Sequence, residues 1–171
     1  MITRETTDID DIRAVLCNPA IYDTITDDNC PKANEFIPPL EDYLYIGGYI
    51  GSKIIALMVY HKYLDGNKCH VQVLPEYRKE YAGQFGEQSL IFSGTRPLYA
   101  EIPELYSNVL EFAKINGFKV IDTKINDYLK HGKTYNTKVL LWHSTLFDAA
   151  AARIKSNLKY GFHINHGKQP I

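Results

Sequence analysis

The chain has 171 residues, 45% of them hydrophobic and 23% charged, and its 19 basic residues balance 20 acidic ones. This composition predicts one compact domain with a sizeable core, and the balanced charge argues against nucleic acid or anionic lipid as a partner. Cysteines 17, 30 and 69 have unrelated spacings, which favours neither a disulfide framework nor a metal site. The acidic N-terminus is unlike a signal peptide and no later segment has the length of a membrane span, so we expect a cytosolic protein.

The first forty residues predict a strand, a helix and a long connection. Residues 1–5 alternate as in a strand, and Thr7 or Asp8 is placed to cap a helix. The apolar positions of that helix are Ile9, Ile12, Val15 and Leu16. Residues 18–41 then carry several prolines and little periodicity, which predicts an irregular connection with at most short helical turns. Such a connection either shapes a binding site or is a plain surface loop.

Three β-rich runs follow, at residues 43–50, 54–63 and 68–74. Gly-Ser-Lys separates the first pair of runs, and Leu-Asp-Gly-Asn separates the second pair. Both separators are typical of tight hairpin turns. The three runs therefore predict an antiparallel meander.

Helices and strands alternate after the meander. Residues 82–94 suit a helix that stops at Gly94, and residues 96–103 suit a short strand. Residues 104–118 give the clearest helical pattern and end in Asn-Gly. Its apolar positions are Leu105, Val109, Phe112 and Ile115.

The C-terminal part predicts two strands, at residues 119–125 and 137–146, and an alanine-rich helix at residues 147–160. The complete order of elements predicts an α+β fold, in which a mixed sheet carries helices on its faces. We expect residues 1–143 to form the domain and residues 144–171 to be a C-terminal extension packed on or next to it.

The segment around Pro75 carries a resemblance to a known family. Val73, Pro75, Tyr77 and Arg78, followed by Gly83, resemble the motif at the end of the fourth strand in the GNAT superfamily of acyl-coenzyme A dependent N-acyltransferases. The helix that ends in Gly117-Phe118 is similar to a later helix of the same family. The resemblance covers residues 1–143 and implies a GNAT-like fold with an extra C-terminal helix. The combined pattern is most similar to small GNAT-like proteins of bacteriophages, some of them linked to head assembly or virion maturation.

The resemblance implies that acetyl-CoA or CoA binds where the strand gives way to the helix. Backbone N–H groups at a helix N-terminus, together with the helix dipole, favour a pyrophosphate there. Tyr81 stands where the family has its middle glycine, and Glu80 adds negative charge, whereas Arg78 and Lys79 attract phosphate. The implied cofactor-binding residues are Val73, Leu74, Arg78, Lys79, Glu80, Tyr81, Ala82 and Gly83.

Acyl transfer to an amine needs a group that accepts the proton of the amine and a group that protonates the leaving thiolate. His70, on the strand that leads to the motif, is the candidate base, and the alternative is a structural histidine within the sheet. Tyr106 and Tyr99 are the candidate acids, because the usual tyrosine of the family falls at Ala113. Glu101 either holds an amine by charge or is a solvated carboxylate at a sheet edge. The remaining histidines lack metal-binding spacing, so no metal is predicted.

Two hypotheses follow from the resemblance. The first is an N-acetyltransferase that uses acetyl-CoA and a small-molecule or protein amine. The second is an inactive GNAT-fold protein that acts as a binding or head-assembly factor, with phage structural proteins as partners.

Overall fold

Seven strands form one mixed sheet in the computed structural model, which describes residues 1–94 and 97–143. The strands are β1 (Ile2–Glu5), β2 (Tyr43–Ile50), β3 (Lys53–Tyr63), β4 (Gly66–Val73), β5 (Leu98–Pro103), β6 (Lys119–Lys130) and β7 (Lys133–Trp142). Their spatial order is β1-β2-β3-β4-β5-β7-β6. Every neighbouring pair is antiparallel except β4 and β5, which run parallel. The predicted meander is the β2-β3-β4 part of this sheet.

Four α-helices flank the sheet among the described residues: α1 (Ile9–Leu16), α2 (Pro19–Ile25), α3 (Arg78–Leu90) and α4 (Ser107–Ile115). The carboxylate of Asp8 caps α1 by accepting the N–H groups of Asp10 and Asp11 at 2.9 and 3.2 Å. Asn18 caps α2 in the same way, with Pro19 in the first turn, where the missing N–H of proline does no harm. The predicted irregular connection therefore begins with a short capped helix.

The sheet separates two hydrophobic cores. One face packs beneath α1 and α2, where Ile12, Ile21 and Leu57 are fully buried. The other face packs against α3 and α4, with Phe85 and Leu98 fully buried. The mixed sheet with helices on both faces confirms the predicted α+β fold.

The predicted strands near residue 130 are too short. The structure has one long hairpin instead, with β6 running to Lys130 and β7 beginning at Lys133. His131 and Gly132 both adopt positive φ, at 51° and 70°, as a two-residue hairpin turn requires. The His-Gly pair was the available signal, but it is a weaker one than Asn-Gly or Asp-Gly.

The predicted apolar face of α4 is only partly correct. Ile115 is 82% exposed, and Leu105 lies before the helix begins. Val109 and Phe112 do not close a tight core, since both line a cavity between α4 and the sheet. The predicted helix at residues 147–160 and the extension at residues 144–171 lie outside the described residues.

Candidate active site

The parallel strands β4 and β5 pair only at their beginnings. Asn67 lies opposite Leu98 and Lys68 opposite Tyr99, and no further pairs join the two strands. Gly66 allows this close start, because a Cβ at that position would lie 2.1 Å from the carbonyl oxygen of Pro97. Beyond Lys68 the strands separate and leave a gap in the sheet. A cavity of about 570 Å³ occupies this gap and is lined by β4, β5, α3 and α4.

The first side of the cavity is formed by one stripe of α3, namely Arg78, Ala82, Gly86 and Leu90. No side chain caps the N-terminus of this helix. Arg78 donates from Nε to the carbonyl oxygen of Val73 at 3.0 Å, which fixes its guanidinium beside the end of β4. The exposed remainder of the guanidinium keeps its other N–H donors for a ligand.

The other predicted cofactor residues lie near the cavity but not all of them line it. Lys79 and Glu80 are exposed in the first turn of α3, and Leu74 is buried in the core beneath α1 and α2. Tyr81 is half-buried, and its ring centroid lies 6.2 Å from that of Tyr77. Gly83 is exposed, and a Cβ there would meet open space. Residues 78–83 form the first turns of α3, and the preceding turn is a short 3-10 helix, Pro75–Tyr77.

His70 lies on the opposite side of the sheet from the α3 stripe. It pairs with Val59, and cross-strand partners share a face, so its imidazole points toward the side of α1 and α2. Its Nε2 atom lies 3.2 Å from Nε2 of His61. Desolvation within the walls of the cavity lowers the pKa of His70 below its ordinary value of 6.5, and Lys68 and His61 lower it further. The residue nevertheless keeps an exposed surface.

Tyr106 reaches the same cavity from the start of α4. Its hydroxyl oxygen lies 3.3 Å from that of Tyr128, and Tyr128 donates its proton to the carbonyl oxygen of Thr26 at 2.6 Å. Since Tyr128 has a single proton, Tyr106 is the donor in the pair of hydroxyls. That contact is long for an O–H···O hydrogen bond, so the hydroxyl of Tyr106 is bound only weakly to Tyr128.

Tyr99, the second candidate acid, is not brought together with these residues. Its hydroxyl donates to Asp65, in the turn between β3 and β4, at 2.6 Å. It does not line the cavity described above. Ala113 does line the cavity, and its methyl group offers no proton there.

Glu101 was a candidate that the sequence placed at a sheet edge, and that interpretation is wrong. It lies on the interior strand β5 and accepts hydrogen bonds from Tyr63 at 2.6 Å, Lys124 at 2.7 Å and Lys68 at 2.5 Å. Burial alone would raise the pKa of Glu101, but these three donors outweigh it and lower the pKa to about 2. The carboxylate is therefore ionised and fully occupied at neutral pH.

The end of α2 lines the cavity through Thr24 and Ile25, on the side of the sheet toward which His70 points. The β6-β7 hairpin holds the segment that follows α2. Lys130 donates to the carbonyl oxygen of Thr26 at 3.0 Å, and Asp28 accepts the N–H groups of His131 and Gly132 at 2.9 and 2.8 Å. Part of the connection at residues 18–41 thus shapes the cavity. This agrees with the first of its two interpretations, a segment that shapes a binding site, and not with a plain surface loop.

Two negative observations apply to the described residues. No three His, Cys, Asp or Glu side chains of this part of the chain are grouped as metal ligands. None of its helices is long and apolar enough to cross a membrane.

The seven-stranded sheet, its gap between β4 and β5, and the flanking helices make this the GNAT acyl-CoA N-acyltransferase fold. An N-acetyltransferase from Staphylococcus aureus Mu50 covers 83% of this chain and 97% of its own, with 17% identity and a TM-score of 0.69. Spermidine N-acetyltransferase from Vibrio cholerae, in complex with CoA and spermine, covers 83% and 94%, with 12% identity and a TM-score of 0.68. The yncA protein of Salmonella typhimurium, with its cofactor acetyl-CoA, covers 84% and 93%, with 14% identity and a TM-score of 0.67.

Sequence comparison adds nothing to this likeness. No protein-family model matches the chain, and no curated protein is similar enough to match. At these identities the likeness to the solved structures shows the fold alone.

Proposed function

We propose that the protein is an acetyl- or acyl-CoA-dependent N-acetyltransferase. The observation that carries the proposal is the cavity between β4 and β5, which opens to α3 on one side of the sheet and to His70 on the other. A gap through a sheet lets two ligands meet end to end from opposite faces. That arrangement suits the transfer of a group from a long cofactor to a separate acceptor.

The residues on the α3 side fit CoA. The uncapped N-terminus of α3 and the guanidinium of Arg78 offer N–H donors and positive charge to a pyrophosphate. The small residues Ala82 and Gly86 leave space along the helix. A Cβ at Gly86 would fill part of that space, because it would lie in van der Waals contact with Phe112, at 3.6 Å. Glu80 opposes the phosphate by charge, but it is exposed, and water screens it.

When bound, acetyl-CoA would supply an activated acyl thioester. The role of His70 is to accept the proton of the acceptor ammonium at a ring nitrogen, which its low pKa leaves unprotonated at neutral pH. The role of Tyr106 is to deliver its hydroxyl proton to the departing sulfur. Tyr128 then orients that hydroxyl and keeps its own proton, because burial raises its pKa well above the ordinary value.

Titration calorimetry with acetyl-CoA, together with thermal unfolding in its presence, tests the cofactor. We expect binding and a raised melting temperature, because a ligand of the native state stabilises that state. Arg78→Glu should weaken binding at least about tenfold, by loss of a charge-assisted contact. Lys119→Glu makes the same change of charge at an exposed site at the start of β6 and should have little effect.

Absence of any binding to the native protein would reject the proposal. Tyr106→Phe then tests the proposed acid, because it removes the hydroxyl that would protonate the departing sulfur and leaves the ring in place. We expect it to lower the acetylation rate of an amine panel without changing the affinity for acetyl-CoA.

The second candidate is an inactive GNAT-fold protein that binds a partner, as in phage particle assembly. Two observations favour it: Tyr81 replaces a family glycine, and apolar side chains are exposed on β6, with Ile121 at 51% and Ile125 at 69%. Binding of CoA without acetylation of any amine or protein would support this candidate over the first.

A further inference from the structure

One buried side-chain oxygen in the described part of the chain has no hydrogen-bond partner, namely Oγ1 of Thr137. Thr137 is 3% exposed and lines the cavity from β7. A buried hydroxyl without a partner is destabilising, and such groups are rare in native proteins. Because Thr137 lines the cavity, its unsatisfied hydroxyl lies within the cavity wall, where a ligand is a candidate partner.

The surroundings of Thr137 carry an excess of positive charge. Lys124 is its direct neighbour across the β6-β7 ladder, so both side chains lie on one face. Lys124 and Lys68 share the single carboxylate of Glu101. Each ammonium has three N–H donors, so both lysines keep donors that Glu101 does not use. Two positive charges and one negative charge are thus grouped at Glu101, with Lys68 and Glu101 in the cavity wall and Lys124 next to Thr137 across the ladder.

Asp127 is the other acidic residue that lines the cavity. It lies in the bulge of β6 between Lys124 and Tyr128, and its side chain is exposed. Water screens a carboxylate at such a position more strongly than the partly buried charges around Glu101. Asp127 therefore offsets the excess of positive charge only weakly.

We propose that Thr137, Lys124 and Lys68 bind the carboxylate of a small amino acid whose amino group is the acceptor. The ligand carboxylate accepts hydrogen bonds from the hydroxyl of Thr137 and from the spare N–H groups of the two lysines. With Glu101, the cluster then contains two cations and two anions. Lys68 and His70 are alternate residues of β4 and share a face, so the amino group of the same ligand lies on the side of the candidate base. The inference rests on the proposed acyl transfer and narrows its acceptor from amines in general to amino carboxylates.

Calorimetry with matched pairs of ligands tests this subsite: alanine and ethylamine, lysine and cadaverine, phenylalanine and phenethylamine. The protein is titrated both alone and saturated with CoA. We expect at least one amino acid to bind about tenfold or more tightly than its decarboxylated partner, as loss of charge-assisted hydrogen bonds requires. Thr137→Val and Lys124→Met should each remove most of that preference.

Thr137→Val keeps the shape of the side chain and removes the unsatisfied hydroxyl, so the melting temperature of the ligand-free protein should stay the same or rise. Thr134→Val, at an exposed position of the same strand, is the matched control and should keep the preference. The proposal is overturned if no amino acid of the panel binds, if the amines bind equally well, or if Thr137→Val leaves the preference intact. Amino-acid binding without any affinity for acetyl-CoA would reject the proposed enzyme but retain the subsite.

Discussion

At His70 the environment determines the protonation state. Desolvation and two nearby basic groups all lower its pKa, and the charge of Glu101 opposes them without outweighing them. Each neutral imidazole of the His61–His70 pair has one N–H, so one Nε2 donates and the other accepts. The free lone pair that a base needs is then on Nδ1 of His70 when its Nε2 is the donor.

His70→Gln should lower the turnover of an acetylated amine by about a hundredfold or more, the usual effect of losing a general base. The pKa of His70 lies below 6.5, so activity that depends on it should fall only as the pH drops below that value. A pH profile of kcat for the native protein checks the position of the acidic limb. His143→Gln, at an exposed site just after β7, should keep both turnover and profile. An acidic limb centred above pH 7 would contradict the assignment of His70.

Glu101 makes the stability of the fold depend on pH, and its contribution decreases as the pH falls. Its pKa is about 2 in the folded protein and 4.5 as the ordinary value. A lowered carboxyl pKa gives stability that is present above the ordinary value and is lost as the pH falls through the folded value. The window for Glu101 is therefore pH 4.5 down to about pH 2.

Glu101→Gln should lower the free energy of unfolding by about 2 kcal/mol at pH 7, because it leaves two lysines without their shared anion. The cost stays below that of a fully buried pair, since the side chain of Lys124 is 38% exposed. Urea unfolding at pH 7 and at pH 3 measures the difference, which should shrink at the lower pH. A constant difference at both pH values would show that the charge of Glu101 is not responsible.

At the scale of elements, the segment after α2 is held to the β6-β7 hairpin and to α1. Arg13 of α1 donates to the carbonyl oxygens of Phe36 and Ala33, and Asp28 accepts two N–H groups of the hairpin turn. These contacts fix the segment that follows Thr24 and Ile25, which line the cavity on the side of the proposed acceptor. The connection is irregular in sequence, but its polar side chains anchor it at defined points.

Asp28→Ala should free the two turn amides, while Tyr128 and Lys130 still hold the hairpin to this segment through the carbonyl oxygen of Thr26. The amides of His131 and Gly132 then lose their acceptor and should exchange with deuterium faster, while amides of the β2-β3 ladder keep their protection. Asp27→Ala is the neighbouring control, because its carboxylate accepts the N–H of Asn29 and contacts the thiol of Cys30, both within the same loop. Unchanged exchange at residues 131 and 132 would show that the turn is stable without Asp28.

Strands and capped helices were predictable from sequence because their signals are local. Asp8 and Asn18 cap helices by short-range hydrogen bonds, and β2 and β3 follow their hydrophobic runs. The site was less predictable, since its contacts join residues far apart in the chain. Thr137 is unremarkable in sequence and becomes notable only when Pro103 and Lys124 bury it on either side. Tyr99 looked equivalent to Tyr106, yet the sheet directs it to Asp65.

At the scale of the whole molecule, the gap between β4 and β5 depends on the crossover that joins them. The two strands run parallel, so the connection from β4 must return through α3 before β5 begins. The carboxyl ends of both strands then diverge on the same side, with α3 at one wall of the opening. A single topological feature therefore creates an opening to both faces of the sheet, which is what the proposed meeting of cofactor and acceptor requires.

A variant that ends at His143 should retain the fold. All seven strands of the sheet lie within residues 1–143, and both clusters of buried side chains join residues of this range. Such cores supply most of the stability of a domain. We therefore expect a cooperative thermal transition and a circular dichroism spectrum that still shows the strands and helices of residues 1–143. The full chain is the control for both measurements and for acetyl-CoA binding. Loss of the cooperative transition would mean that residues 144–171 belong to the core, whereas a folded variant that still binds acetyl-CoA would leave the extension free for another role.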